Sequence, residues 1–162
     1  MKNASRIVLG IDPGYGRCGF GVIQVHGSTW KILAHGVITT PTGIAHADRL
    51  LEIARDVAGL IKKHHPTTLV IEELFFAKST TTALKVAEVR GILLLKGAEA
   101  SIEIVEVKPN EVKMALTGYG KADKRQMQQM VKTVFGLKAV PKPDDAADAL
   151  AIAWAGAGKG SW

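Results

Sequence analysis

The 162-residue chain is 47% hydrophobic and 22% charged, a size and mix that suit one compact domain with one core. No run approaches the roughly 18 apolar residues of a membrane span, and the short apolar run ending at Asp12 lacks the form of a signal peptide. A single cysteine, Cys18, excludes a disulfide framework; it fits a reducing cytoplasm and reads as a small buried hydrophobe. The net charge of +6 is local. Residues 108–142 hold eight basic side chains and two acids, while thirteen of each sign balance over the rest. An excess confined to one segment is the footprint of a polyanionic partner, or else a solvated lysine-rich surface.

In chain order, RIVLGID at residues 6–12 predicts a buried strand. Strands follow at 20–25 and 31–39, with turn signals at Gly14, Gly16 and Gly27, and these three form an antiparallel meander. Between residues 44 and 64 the apolar period lengthens to three and four, the stripe of a helix packed on a sheet, and Pro66 ends it. A second buried strand, TLVIE, occupies 68–72; a helix is expected over 79–98, with Ser79 to Thr82 as cap candidates, and a last strand over 102–107. Helices then fit 109–116, 123–135 and 143–157, the first and last opened by Pro109 and Pro143. A helix between two strands of one sheet implies a parallel crossover. The expected fold class is therefore α/β, a five-stranded mixed sheet with helices on both faces and a frayed tail from Gly156 onward.

Two buried strands each end in an acid, Asp12 and Glu72. A carboxylate beside an apolar core is costly unless compensated, and a divalent cation compensates it well. If the two strands are parallel neighbours, both acids share the edge of the sheet on which α/β sites are built. Near the end of the chain Asp145 and Asp148 stand three apart, on one helix face, among small alanines. Asp144 and Asp148, four apart, share a face equally well, and helix geometry alone does not choose between the pairs. Each acid alone has an ordinary explanation as a turn or helix-start residue. Oxygen donors without a His/Cys cluster suit Mg²⁺ or Mn²⁺.

Other patterns fail. Residues 14–19 match G-x-G-x-x-G, but a strand rather than a helix follows, and no acid stands at positions 31–40. Gly158-Lys159 lacks the rest of a P-loop, and the five histidines show no zinc spacing with Cys18.

GIDPG at 10–14, IEELFFA at 71–77 and DAADALAIA at 145–153 resemble, in order and over nearly the whole chain, the signature blocks of RuvC-type Holliday-junction resolvases, and VKMALTGYGKADKRQM at 112–127 resembles the family's basic loop region. The resemblance implies a single ribonuclease H-like nuclease domain over 1–157 with a tail at 158–162. The implied activity is metal-dependent hydrolysis of two opposed strands of a four-way DNA junction, leaving ligatable nicks with 5′-phosphates. Asp12, Glu72, Asp145 and Asp148 become the catalytic, metal-binding acids, with two Mg²⁺ ions, or Mn²⁺ in their place, about 4 Å apart. Lys113 and Lys124 match DNA-contacting lysines, with Lys121 and Arg125 in the same basic stretch. Phe75 matches an aromatic beside the junction, and Tyr119 is a second stacking candidate. The implied partners are a second copy of the chain, four-way junction DNA and the RuvA-RuvB branch-migration complex. Glu73 departs from the family, which often has Gln there.

The expected helix over 79–98 carries two apolar stripes, one through Leu84, Ala87, Gly91, Leu94 and Leu95 and one through Val86, Val89 and Leu93. One face covers the sheet and the other a second subunit; replacing Val89 or Leu93 by Glu is expected to give monomers. A phosphotransferase of the sugar-kinase type also opens on strand, Asp and glycines, but needs two domains. A silent nucleic-acid-binding module has no use for four acids.

Overall fold

The computed structural model describes residues 4–74 and 80–159. Strands β1 (Arg6–Asp12), β2 (Arg17–His26) and β3 (Thr29–Thr39) form the antiparallel meander. Helix α1 (His46–His64) leads to β4 (Thr68–Glu72), and α2 (Thr80–Glu99) to β5 (Glu103–Val107). Helices α3 (Pro109–Thr117), α4 (Lys124–Val134) and α5 (Asp144–Lys159) complete the chain. The sheet order is β3-β2-β1-β4-β5, with β4 parallel to both β1 and β5. The expected class, a five-stranded mixed sheet, is the observed one.

Strand side chains alternate between faces, so β1 and β4 feed two cores. Leu9, Ile11, Leu69 and Ile71 pack with Ile53, Val57, Val89 and Leu93 beneath α1 and α2. Val8 and Val70 pack on the opposite face with Leu150, Ile152 and the apolar sides of α3 and α4. Cys18 is fully buried in the first core, and its thiol is pushed up to about 12, mainly by burial; the hydrophobe reading holds.

Helix α5 approaches the sheet closely. A Cβ added at Gly10, Gly19 or Gly21 would overlap Ala149, Asp145 or Leu150 respectively, so only glycine fits this seam. Trp154 stacks on Trp30 at 3.7 Å between ring centroids, with Phe135 edge-on, and fixes the far half of the helix. The frayed tail expected from Gly156 is corrected: α5 continues to Lys159, with Ala155, Gly156 and Ala157 buried. Its end is tied down. Arg6 donates to the Ala157 carbonyl at 3.1 Å, and Lys159 pairs with Glu111 at 2.7 Å. Glycine at 156 is required by Val70, which an added Cβ would strike, and not by a helix stop.

Candidate active site and nucleic-acid interface

Alternation along the strands places the acids. Asp12 shares the face of Val8 and Gly10, and Glu72 that of Val70, so both project on the α5 side. The parallel register pairs Ile11 with Ile71, which puts Asp12 and Glu72 side by side at the carboxyl ends of β1 and β4. A cleft of about 250 Å³ opens there, lined by Asp12, Glu72, Asp148, Lys113, Lys124 and Met127, with Pro109, Val112 and Ala151. The glycine seam lets α5 carry Asp148 into it.

The electrostatics of the cleft are those of uncompensated carboxylates. Asp12 is pushed up to about 8, first by burial and then by Glu72, Asp148 and Asp145. Glu72 is pushed up to about 7 by burial and Asp148, partly offset by Lys113. Burial also raises Asp148, against the pull of Lys124. Among the described residues no three His, Cys, Asp or Glu side chains converge closely enough to enclose an ion. The donor chemistry nevertheless fits a hard divalent cation: the donors are oxygens only, and they are half-buried and mutually repelling.

The helix-borne aspartates have separate surroundings. Asp144 is half-buried, 3.0 Å from Lys142 and 3.3 Å from Lys124, and these cations hold its carboxyl below the usual range. Asp145 lies 3.0 Å from Arg17 and close enough to Asp12 to raise its pKa. It does not line the cleft.

Lys113 and Lys124 flank the acids, one from α3 and one from α4. Lys121 and Arg125 are exposed nearby in the chain, as is Tyr119 beyond the αL cap at Gly118. An Asp123–Gln126 capping box fixes the start of α4 and hence the place of Lys124. Phe75 and Phe76 lie outside the described residues.

Two positioning residues escaped the sequence reading. Arg17 opens β2, three residues earlier than the strand expected there, on the α5 face with Gly19 and Gly21; the antiparallel hairpin brings it to Asp145. Arg90 on α2 donates to the Glu72 carbonyl at 3.2 Å and pairs with Glu106, securing the end of β4. Period-2 parity extended back along β2 would have found Arg17; nothing local marks Arg90.

The profile of crossover junction endodeoxyribonuclease RuvC matches residues 8–155. The chain belongs to the RuvC family. It is 47% identical over 147 residues to RuvC of Heliobacterium modesticaldum, covering 91% of each chain. RuvC of Chloroflexus aggregans is 49% identical over 145 residues, 90% of this chain and 88% of the relative. Among solved structures, Thermus thermophilus RuvC superposes with a TM-score of 0.87 at 34% identity, covering 93% of both chains. The same protein in complex with a Holliday junction substrate gives 0.89 over 94% of this chain and 93% of that one, also at 34% identity. A yeast mitochondrial resolvase shares the fold, with a TM-score of 0.64 at 17% identity. No described helix is long and apolar enough to cross a membrane.

Proposed function

We propose that this RuvC-family nuclease resolves four-way DNA junctions by divalent-metal-dependent hydrolysis of two opposed strands, leaving ligatable 5′-phosphate nicks. The reading rests on one observation: half-buried acids from two adjacent strand ends and from α5 meet at one sheet edge, flanked by Lys113 and Lys124. Asp12, Glu72, Asp148 and Asp145 are the proposed ligands. Mg²⁺ there, or Mn²⁺ in its place and two ions in all, supplies charge stabilisation and an activated water. Asp145 is preferred to Asp144 because Asp144 is neutralised by two lysines, whereas Asp145 is coupled to Asp12.

The chain's own groups do the rest. Lys113 and Lys124 hold backbone phosphates on either side of the acids, with Lys121, Arg125 and Tyr119 extending the contact along α4 and the turn before it. Phe75 is the proposed stacking residue at the crossover.

Two active sites on opposed strands call for a twofold pair of subunits. The exposed stripe of α2, Leu84 and Leu95, is the proposed dimer surface, with Leu51 of α1 also exposed. Val89 and Leu93 are fully buried in the α1/α2 core and take no part in it. The expectation that Glu at either position yields monomers is corrected: it disrupts the core instead. Action in the cytoplasm with the RuvA-RuvB complex completes the proposal. Its test is incubation of the purified protein with end-labelled four-way and linear DNA, with and without Mg²⁺. Paired nicks in the four-way DNA alone, and only with metal, are expected; equal cutting of linear DNA overturns the reading.

A further inference from the structure

A second group of cations stands at the same sheet edge on the opposite face. The turn from Asp12 to Arg17 carries Tyr15, whose ring packs on the α1/α2 core rather than toward α5. Arg49 of α1 lies with its guanidinium 5.7 Å from the ring centroid, and Lys85 of α2 has its ammonium 5.3 Å from it. The two charges are thus no more than 11 Å apart. Neither pairs with a carboxylate among the described residues; the nearby Glu88 is taken by His46, which meets the Tyr15 ring edge-on. The backbone of the turn is fixed as well: Thr40 donates from its hydroxyl to the Tyr15 carbonyl and from its N–H to Gly16 at 3.1 Å.

Both cations lie over one aromatic ring, which attracts them, and no anion sits between them among the described residues. We infer that Tyr15, Arg49 and Lys85 form a second DNA-backbone site, which binds phosphates of the strand that runs past the acids on the α1/α2 side. This rests on the reading that the acidic edge carries DNA. Lys113 and Lys124 reach that edge from the α3/α4 side, Arg49 and Lys85 from the other, and the acids lie between. Each DNA strand presents one charge per roughly 3.4 Å of helix axis, so two cations no more than 11 Å apart can both meet phosphates within about three steps of one strand. The charge excess of residues 108–142 does not reveal this patch, whose three residues lie outside that stretch and far apart in the chain.

The experiment is junction binding in chelator, where no hydrolysis intervenes, titrated over salt for wild type, Arg49→Gln, Lys85→Gln and the double variant, with linear duplex in parallel. Each neutral substitution is expected to lower the slope of log affinity against log salt by about one, and the pair by about two. Arg49→Lys and Lys85→Arg should keep the wild-type slope, and so should Lys62→Gln at the other end of α1. An unchanged slope in the double variant overturns the site. So does an equal loss in the charge-conserving variants, which would mark a packing role. A wild type without preference for four-way over linear DNA overturns the junction reading instead, and the slopes on linear duplex still decide the patch.

Discussion

On the α1/α2 face the helices rest on Leu9, Ile11, Leu69 and Ile71, whereas on the α5 face Gly10, Gly19 and Gly21 stand in the corresponding rows of β1 and β2. The first face is ordinary aliphatic packing, and its side chains keep the helices at a distance. The second is defined by missing side chains, and the helix it admits brings acids to the strand ends. Stability and chemistry are thus divided between the faces. Many aliphatic combinations would satisfy the first, while the second tolerates almost none, because a single added methyl meets helix backbone.

The sharpest way to break this contrast is at the acids. Asp148→Asn and Asp145→Asn keep the shape of the side chain but remove the charge proposed to hold a cation, so single-turnover cleavage at saturating Mg²⁺ should fall by about 10³-fold or more, with junction binding retained. Retained cleavage in Asp145→Asn beside an inactive Asp144→Asn would reverse the choice between them.

Next in size is the seam. Gly19→Ala should lower stability by about 1–3 kcal/mol and displace the start of α5, with a loss of cleavage larger than the stability change accounts for. Denaturant titration beside single-turnover rates would separate the two. A fully active, fully stable Gly19→Ala protein contradicts the account of the seam.

The α1/α2 face makes a third test by its two stripes. Leu84→Glu and Leu95→Glu, at positions 56% and 51% exposed, should give folded monomers with stability changed by no more than about 0.5 kcal/mol. Val89→Glu should instead fail to fold cooperatively, since it places a charge in a closed core. Sedimentation of the wild type as a monomer, alone and on a junction, would remove the dimer.

A smaller effect is expected from pH. Asp12 and Glu72 have raised pKa values in the folded chain, so between about pH 4 and 8 the native state binds more protons than the unfolded one. Metal-free stability should therefore decline as pH rises through that window, and Asp12→Asn should flatten the decline. Mg²⁺ should offset it at pH 8, by binding the ionised form. Melting temperatures at pH 5 and 8, with and without chelator, measure all three. The smallest effect belongs to Asp144→Asn, which should keep most of the cleavage rate.

Much of this was legible in the chain itself. The apolar, β-branched runs ending in Asp12 and Glu72, the change of period over α1 and the acids of α5 fix the elements and their order, because such runs and spacings are local properties; the choice of Asp145 over Asp144 came from the family resemblance. The localised charge of residues 108–142 marked the basic segment, and the family resemblance picked Lys113 and Lys124 out of it. Three things were decided only in three dimensions. Which stripe of α2 is buried depends on where β4 and β5 lie beneath it, and both stripes are apolar. Why Asp144 and Asp145 differ depends on Lys124 and Arg17, which reach them from other elements, beside the local Lys142. And the cations around Tyr15 come from a turn, α1 and α2, segments far apart in the chain that meet only because three element ends share one sheet edge.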